Sequence, residues 1–307
     1  MAVNEARFTD GSEARPRVRS ISRTWMKSAG RRVIEGGTSM RNTMVEVFED
    51  TMRRIREDEA LSRALEKSIN GSVLYLSGWK AAGLRRTEAG EIRVEECTSF
   101  EAARARAGAG ERLAVLNFAN PYEPGGGVTR GAMAQEECLC RVSTLYPALN
   151  TPYFLEQYYG FHNDLRNAGE DKDLLFSDRA IYTPGVAVFK DDACPPEALP
   201  EPFETDVITC AAPYNCGTLP AETLSGIFEK RIAQILEIAA GRGVDRLILG
   251  AFGCGAFEND PVLVAGAFRK LLMEDGYNRC FREAVFAIKP ARVNRNLEAF
   301  RRVLGQE

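Results

Sequence analysis

The chain contains one histidine, His162, in 307 residues. A single imidazole leaves no HExxH, no histidine-rich metal cluster and little scope for a histidine-based triad. Acid–base chemistry must then rest mainly on carboxylates. His162 lies in YYGFHND, where a structural or surface role is expected. The eight cysteines (Cys97, Cys138, Cys140, Cys194, Cys210, Cys216, Cys254, Cys280) form no CxxC pair. Their scatter through apolar segments suits reduced, mostly buried thiols. No apolar run approaches the ~20 residues that span a bilayer, and the N-terminus has no signal-peptide core. These features suggest a cytoplasmic protein without a membrane partner (nuclear in a cell that has a nucleus). GxxxxGK[ST] and GxGxxG are both missing, which removes the Walker and Rossmann readings. A net charge of −3 argues against a non-specific coat on nucleic acid.

What is present reads as one large globular unit behind a distinct N-terminus. Residues 1–41 include ARPRVRSISRTWMKSAGRR (14–32), basic, serine-rich and free of acids. A mobile tail is the expected reading. An arm for a polyanion is the sharper one, and Glu5, Asp10 and Glu13 weaken a targeting segment. From about residue 42, Val45, Phe48, Met52 and Ile55 recur at helical spacing. Strands are expected at 72–76, 112–118, 180–189, 206–212, 245–252 and 283–289. Helices are expected at 99–107, 134–149 (stopped near Pro147), 223–240, 261–273 and 294–304. Buried strands interleaved with helices indicate an α/β fold, a mixed sheet with helices on both faces, with residues 42–307 as one domain.

Two of those strands end in glycine loops. LAVLNFAN runs into PYEPGGGV, and RLILG into AFGCGAFEND. Ligands in such folds lie outside the carboxyl ends of the strands. Glycine allows positive φ and brings N–H groups close, which suits a phosphate or diphosphate. Two tight turns without a ligand would look the same.

Gln135, Glu136 and Glu137 then open a helix. Acids in a first turn complement the helix dipole by ~0.3–1 kcal/mol, which is reason enough for them. Carboxylate chemistry at a sugar is the other reading. Ordinary glycosidases set two carboxyls ~5–9.5 Å apart across the bond, whereas neighbours on a helix do not face each other. A division of labour follows, one Glu acting as acid and then base while the other holds substrate.

The spacing GGG, seven residues, QEE resembles the signature of poly(ADP-ribose) glycohydrolases, in particular the shorter microbial branch with its macrodomain fold. LNFAN, PGGGV, AQEE-x-LCR-x-STLYP, YTP-x-V-x-VF, ITCAAP and GAFGCGAF-x-NDP fit in order across roughly residues 95–300. The resemblance implies a macrodomain-like three-layer α/β fold with an N-terminal helical extension, and exo release of ADP-ribose from the polymer. It implies that Glu137 is the catalytic acid/base and that Glu136 bonds a ribose hydroxyl across the scissile bond. Asn120 would hold the distal ribose, and Gly125, Gly126, Gly127 and Val128 would pass close to ribose and diphosphate. Gln135 would join the substrate-binding residues. Gly253, Cys254, Gly255 and Ala256 would donate amides to the diphosphate, and Phe257 would press on the distal ribose. To work near neutrality Glu137 should have a raised pKa. Glu123 is a departure, repulsive to a diphosphate unless it faces solvent. Tyr158, Tyr159 and Phe161 fit a core or lid better than an adenine stack.

No cofactor and no metal are implied. Partners would be poly(ADP-ribose), ADP-ribose and ADP-ribosylated proteins, in a reversal of ADP-ribosylation of the kind a DNA damage response needs. No specific nucleic acid is expected, and a monomer is. Two other functions remain open: removal of single ADP-ribose groups from protein or nucleic acid, and a non-catalytic ADP-ribose reader. The intact QEE argues against the reader. If residues 1–40 are a mobile tail, their deletion leaves polymer affinity and its salt dependence unchanged; a loss of both in binding titrations identifies a polyanion arm.

Overall fold

The structure is a computed structural model. It describes residues 13–14, 39–84, 87–108, 110–169, 174–214, 217 and 219–305. The basic stretch 14–32 lies almost wholly outside the described residues, so the tail and arm readings are not addressed by it.

Eight strands form one mixed sheet among the described residues: β1 (Glu13–Ala14), β2 (Val73–Tyr75), β3 (Glu91–Glu95), β4 (Leu113–Phe118), β5 (Ala180–Lys190), β6 (Ala198–Cys210), β7 (Arg246–Leu249) and β8 (Glu283–Ala287). Their order is β1-β2-β5-β6-β4-β7-β8-β3. From β6 to β3 every pairing is parallel, while β1, β2 and β5 add antiparallel. The carboxyl ends of the parallel strands therefore share one edge, and both glycine loops leave from it.

The helices are α1 (Met40–Glu57), α2 (Glu59–Gly71), α3 (Ser99–Arg104), α4 (Gln135–Val142), α5 (Leu145–Leu149), α6 (Pro152–Phe154), α7 (Phe161–Ala168), α8 (Ala221–Gly241), α9 (Pro261–Arg269) and α10 (Arg295–Leu304). Alternation along β4 separates the two cores. Ala114 and Leu116 pack with Phe228, Ile232, Phe268 and Phe300 from α8, α9 and α10. Leu113 and Val115 face the other way, with Phe48, Phe100, Leu139 and Leu145 from α1, α3, α4 and α5. This is the expected three-layer arrangement. It also sends Asn117, two residues on from Val115, to the α4 side.

Several boundaries differ from expectation. The helix expected over 134–149 is two helices. At Ser143 the backbone is extended (φ −145°, ψ 178°), and Thr144 N–H donates to Ala187 O of β5 (3.0 Å). Competition from a strand edge ends α4 before Pro147, which sits in the first turn of α5, where its missing N–H costs nothing. β6 begins at Ala198 rather than near 206 because it pairs with the whole of β5. The stripe on α1 is Met44, Phe48, Thr51 and Ile55, so Val45 and Met52 flank it. β3, α2 and the helical run 152–168 had no sequence expectation. His162 and Tyr158 are fully buried. The His162 ring is held between Tyr158 O and Ser177 Oγ, both at 2.8 Å, a structural role. Tyr159 is also buried and packs with Tyr158 in the core, while Phe161 is half-buried under the Arg179 guanidinium (3.3 Å).

A buried polar network locks α1 to α4. Arg141, 1% exposed, donates from Nε to Met44 O (3.2 Å) and from Nη2 to Ala132 O. The Thr51 hydroxyl donates to Arg141 O (2.5 Å). Lys190 at the end of β5 donates to Thr51 Oγ1 (2.8 Å) and Val47 O (3.0 Å) and pairs with Asp50 (2.8 Å). Arg141→Ala strands the Met44 and Ala132 carbonyls, the first of them buried, and opens a cavity. Urea unfolding is expected to show a loss of about 2–4 kcal/mol.

Candidate active site

β4 ends at Phe118 and α4 starts at Gln135, so everything between is a loop that leaves the sheet and returns to it. Gln135 closes that loop. Its Oε1 accepts from Phe118 N–H (2.9 Å), and its Nε2 donates to Leu116 O (2.8 Å) and Ser99 Oγ (3.1 Å). Both ends of the amide are thus spent on β4 and α3, which makes Gln135 an anchor of the site's frame.

The anchored turn aims two carboxylates back into the loop. Glu136, 3% exposed, accepts from Asn120 N–H at Oε2 (2.6 Å) and from Asn117 Nδ2 at Oε1 (3.2 Å). Glu137, 8% exposed, accepts from Gly127 N–H at Oε1 (2.8 Å). Its Oε2 has no partner among the described residues. Successive helix residues diverge, yet both side chains reach Gly126. A Cβ there would stand 2.6 Å from Glu137 Oε1 and 3.4 Å from Glu136 Oε2, and φ is +52°. Only glycine fits. Gly126 therefore serves the carboxylates themselves, while a Cβ on Gly125 would meet Tyr146 and Val128. Val128 is fully buried, and its N–H bonds Gly125 O (3.0 Å), so its side chain belongs to the core.

Burial dominates the electrostatics of Glu136. It pushes the carboxyl from 4.5 up to about 8, against the N–H groups that favour the anion and with the help of Glu137 beside it. Asn117 was not anticipated as a site residue. A polar residue inside the apolar LAVLNF was the signal available. Its Oδ1 is buried without a partner, an acceptor for a protonated Glu136 once the amide is turned over. Asn120 uses Oδ1 for the N–H groups of Tyr122 (2.8 Å) and Glu123 (3.2 Å), leaving Nδ2 as the end open to a ligand.

The second loop follows β7. Gly253, at φ +77°, leaves no room for a side chain: a Cβ would meet Ala212 Cβ at 2.6 Å and Asn259 Nδ2 at 2.8 Å. Asn259, buried, donates to Gly253 O (2.9 Å) and Pro213 O (2.8 Å) and pins the loop; Asp260 caps α9. The N–H groups of Gly253, Gly255 and Ala256 meet no acceptor among the described residues. That of Cys254 is closed into a turn on Ala251 O (3.0 Å), so the donor set is one amide smaller than expected. Phe257 stands in an aromatic wall with Phe176 (5.8 Å) and Tyr214 (5.7 Å), and Phe176 continues it to Tyr122 (5.7 Å). Phe176 takes φ +59°, a conformation rare outside glycine and concentrated at functional sites.

A cavity of about 820 Å³ opens from this loop across the sheet edge. Phe118, Gln135, Gly253 and Phe257 line one part, and Thr98, Asp192, Lys289 and Asn294 another. The second group lies beyond the ends of β3 and β8, where no motif was visible. Glu123 turns to solvent and pairs with Arg130, which removes the expected repulsion.

The family model of the microbial-type poly(ADP-ribose) glycohydrolase (PARG) catalytic domain matches residues 42–191. The PARG of Thermomonospora curvata is 33% identical with a TM-score of 0.77, the match covering 86% of this chain and 100% of that one. The chain belongs to the microbial PARG family. The same T. curvata enzyme bound to the inhibitor ADP-HPD superposes with a TM-score of 0.74 at 33% identity, covering 85% of this chain and 99% of that one. The Deinococcus radiodurans PARG in complex with ADP-ribose is 34% identical, with a TM-score of 0.67 over 79% of this chain and 97% of that one. Among curated proteins no match is found.

In this PARG-family site the buried carboxyl has a consequence for stability. Glu136 binds its proton more tightly folded than unfolded, so folding takes up a proton between about pH 4.5 and 8. Stability is full below that window and falls as pH rises through it. Urea unfolding from pH 5 to pH 8 is expected to show a decline of the order of 1–4 kcal/mol in the wild type and none from this source in Glu136→Gln.

Proposed function

We propose that the protein is a poly(ADP-ribose) glycohydrolase that hydrolyses the ribose–ribose O-glycosidic bond and releases ADP-ribose, with removal from chain ends as the expected mode. The observation that carries this is the carboxylate pair. Two acids from one helix turn converge on Gly126, each held by a different backbone amide, beside a loop with free N–H groups. The solved relatives hold ADP-ribose or the inhibitor ADP-HPD.

The geometry supports a division of roles. Burial holds a proton on Glu136 at neutral pH, with a smaller contribution from the Glu137 charge beside it. Glu136, with its raised pKa and the unpartnered Asn117 Oδ1 beside it, stores the proton, and its Oε2, held by Asn120 N–H, keeps a lone pair for a ribose hydroxyl. Glu137 keeps Oε2 open. The proton held by Glu136 passes to that oxygen and on to the departing ribose 2′-oxygen, and the oxygen then takes a proton from the water that attacks the oxocarbenium-like carbon. The remaining carboxylate charge stabilises that cation. Asn120 Nδ2 meets the distal ribose, Phe257 presses on it, and the amides of Gly253, Gly255 and Ala256 take the diphosphate. The cavity towards β3 and β8 has room for the adenosine end. ADP-ribosylated proteins carrying the polymer are the partners this reading implies. A cytoplasmic location belongs to the same reading.

The test is ADP-ribose release from purified poly(ADP-ribose), with a chelator control. The wild type is expected to release ADP-ribose whether or not chelator is present. Glu137→Gln should bind ADP-ribose as before and lose turnover by about 10²–10⁴-fold. Near-wild-type turnover in that variant removes the assignment of the acid.

A further inference from the structure

The turn Val128–Arg130 brings one cation to the mouth of the site. Arg130 is exposed, and its guanidinium pairs with Glu123 of the preceding loop, Nη1 to Oε2 at 3.2 Å and Nη2 to Oε1. Backbone fixes its place. Gly131, at φ +73°, closes the turn with its N–H on Val128 O (3.2 Å), and a Cβ there would fall on the carbonyl oxygen of Arg41 in α1. The same guanidinium stands beside the catalytic carboxylate. The point a Cβ on Gly127 would occupy is 3.5 Å from Glu137 Oε1 and 3.7 Å from Arg130 Nη2. No step described above uses Arg130.

Glu137 faces the bond that breaks, so a charged group beside it on the solvent side meets whatever departs. In the polymer the departing oxygen is a ribose 2′-hydroxyl, and that ribose carries a 5′-diphosphate of its own. An anion therefore stands one sugar away from the leaving oxygen. The diphosphate of the unit being released is met by the Gly253–Ala256 loop and leaves Arg130 free for the next one. Resting on the glycohydrolase reading, we propose that Arg130 recognises the diphosphate of the departing polymer and that Glu123 competes with it for the guanidinium.

Physical chemistry favours the exchange of partners. An exposed ion pair contributes little, because water and salt screen it. A guanidinium gives phosphate oxygens the same two-bond fork that it gives the Glu123 carboxylate, and a diphosphate brings the larger negative charge. The released Glu123 simply returns to water. Arg41, exposed in the first turn of α1 beside Gly131 and without an acidic partner among the described residues, adds positive charge to the same side. Glu123 then has a use: it keeps the arginine extended across the loop and limits its hold on the polymer after cleavage.

Steady-state release of ADP-ribose from poly(ADP-ribose) tests this, with free ADP-ribose as a product inhibitor and with salt varied. Arg130→Ala is expected to raise KM for polymer about 5–10-fold and to flatten its salt dependence by about one counterion, while the Ki of ADP-ribose stays put. Arg130→Lys should recover part of the KM, and Glu123→Gln should lower KM about 2–3-fold. An unchanged KM and salt slope in Arg130→Ala overturns the proposal. So does a Ki for ADP-ribose that rises in parallel, since Arg130 would then act on the bound unit or on the loop. Failure of the wild type to release ADP-ribose at all would instead sink the underlying glycohydrolase reading.

Discussion

Everything at this site hangs on backbone amides donated to carboxylates. A buried carboxylate is costly unless its lone pairs are met, and here Asn120 and Gly127 meet them from a loop that has no regular structure of its own. The bonds work in both directions. They hold Glu136 and Glu137 in place, and they give the glycine loop its shape. Gln135 supplies the third tie by spending its whole amide on β4 and α3. Loop, helix turn and strand end are thus one unit, and a Cβ on Gly126 would break it at the centre.

That unit is braced from below. α1 lies against the turn Val128–Gly131, and Arg141 ties Met44 of α1 to Ala132 just ahead of the catalytic helix turn. Lys190 and Thr51 continue the brace to β5. The N-terminal helix is therefore part of the machinery's support rather than an attachment to a finished domain. Buried polar networks of this kind reward geometry more than stability: each member is satisfied only when the others are in place.

The surroundings of the two glycine loops show why such a site can work on a polyanion with little net charge in the protein. The charge is local. N–H groups without an acceptor among the described residues at the Gly253 loop, and one guanidinium near Gly127, place positive charge at the sheet edge that carries both loops. The carboxylates next door are kept from repelling the substrate by burial, which holds a proton on Glu136 up to about pH 8.

Much of this was legible in the chain. The continuous apolar run of RLAVLNF, the runs ending in glycine and the Asp260-Pro261 start of α9 are local signals, because strand, turn and cap are decided by neighbours in sequence. GGG, seven residues and QEE marked the carboxylates and their loop before any coordinates. The break at Ser143 could not be read, since it is a strand edge 45 residues away, at Val188, that outcompetes the helix. Nor could the roles of Asn117, Asn259 and Arg141, each a polar residue whose partners lie far along the chain. The sequence by itself determined most of the strands and long helices, the two loops and the acids. Tertiary structure alone decided which amide holds which carboxylate, that burial raises the pKa of Glu136, and that Arg130 stands near Glu137, because burial and charge proximity are properties of the space between segments.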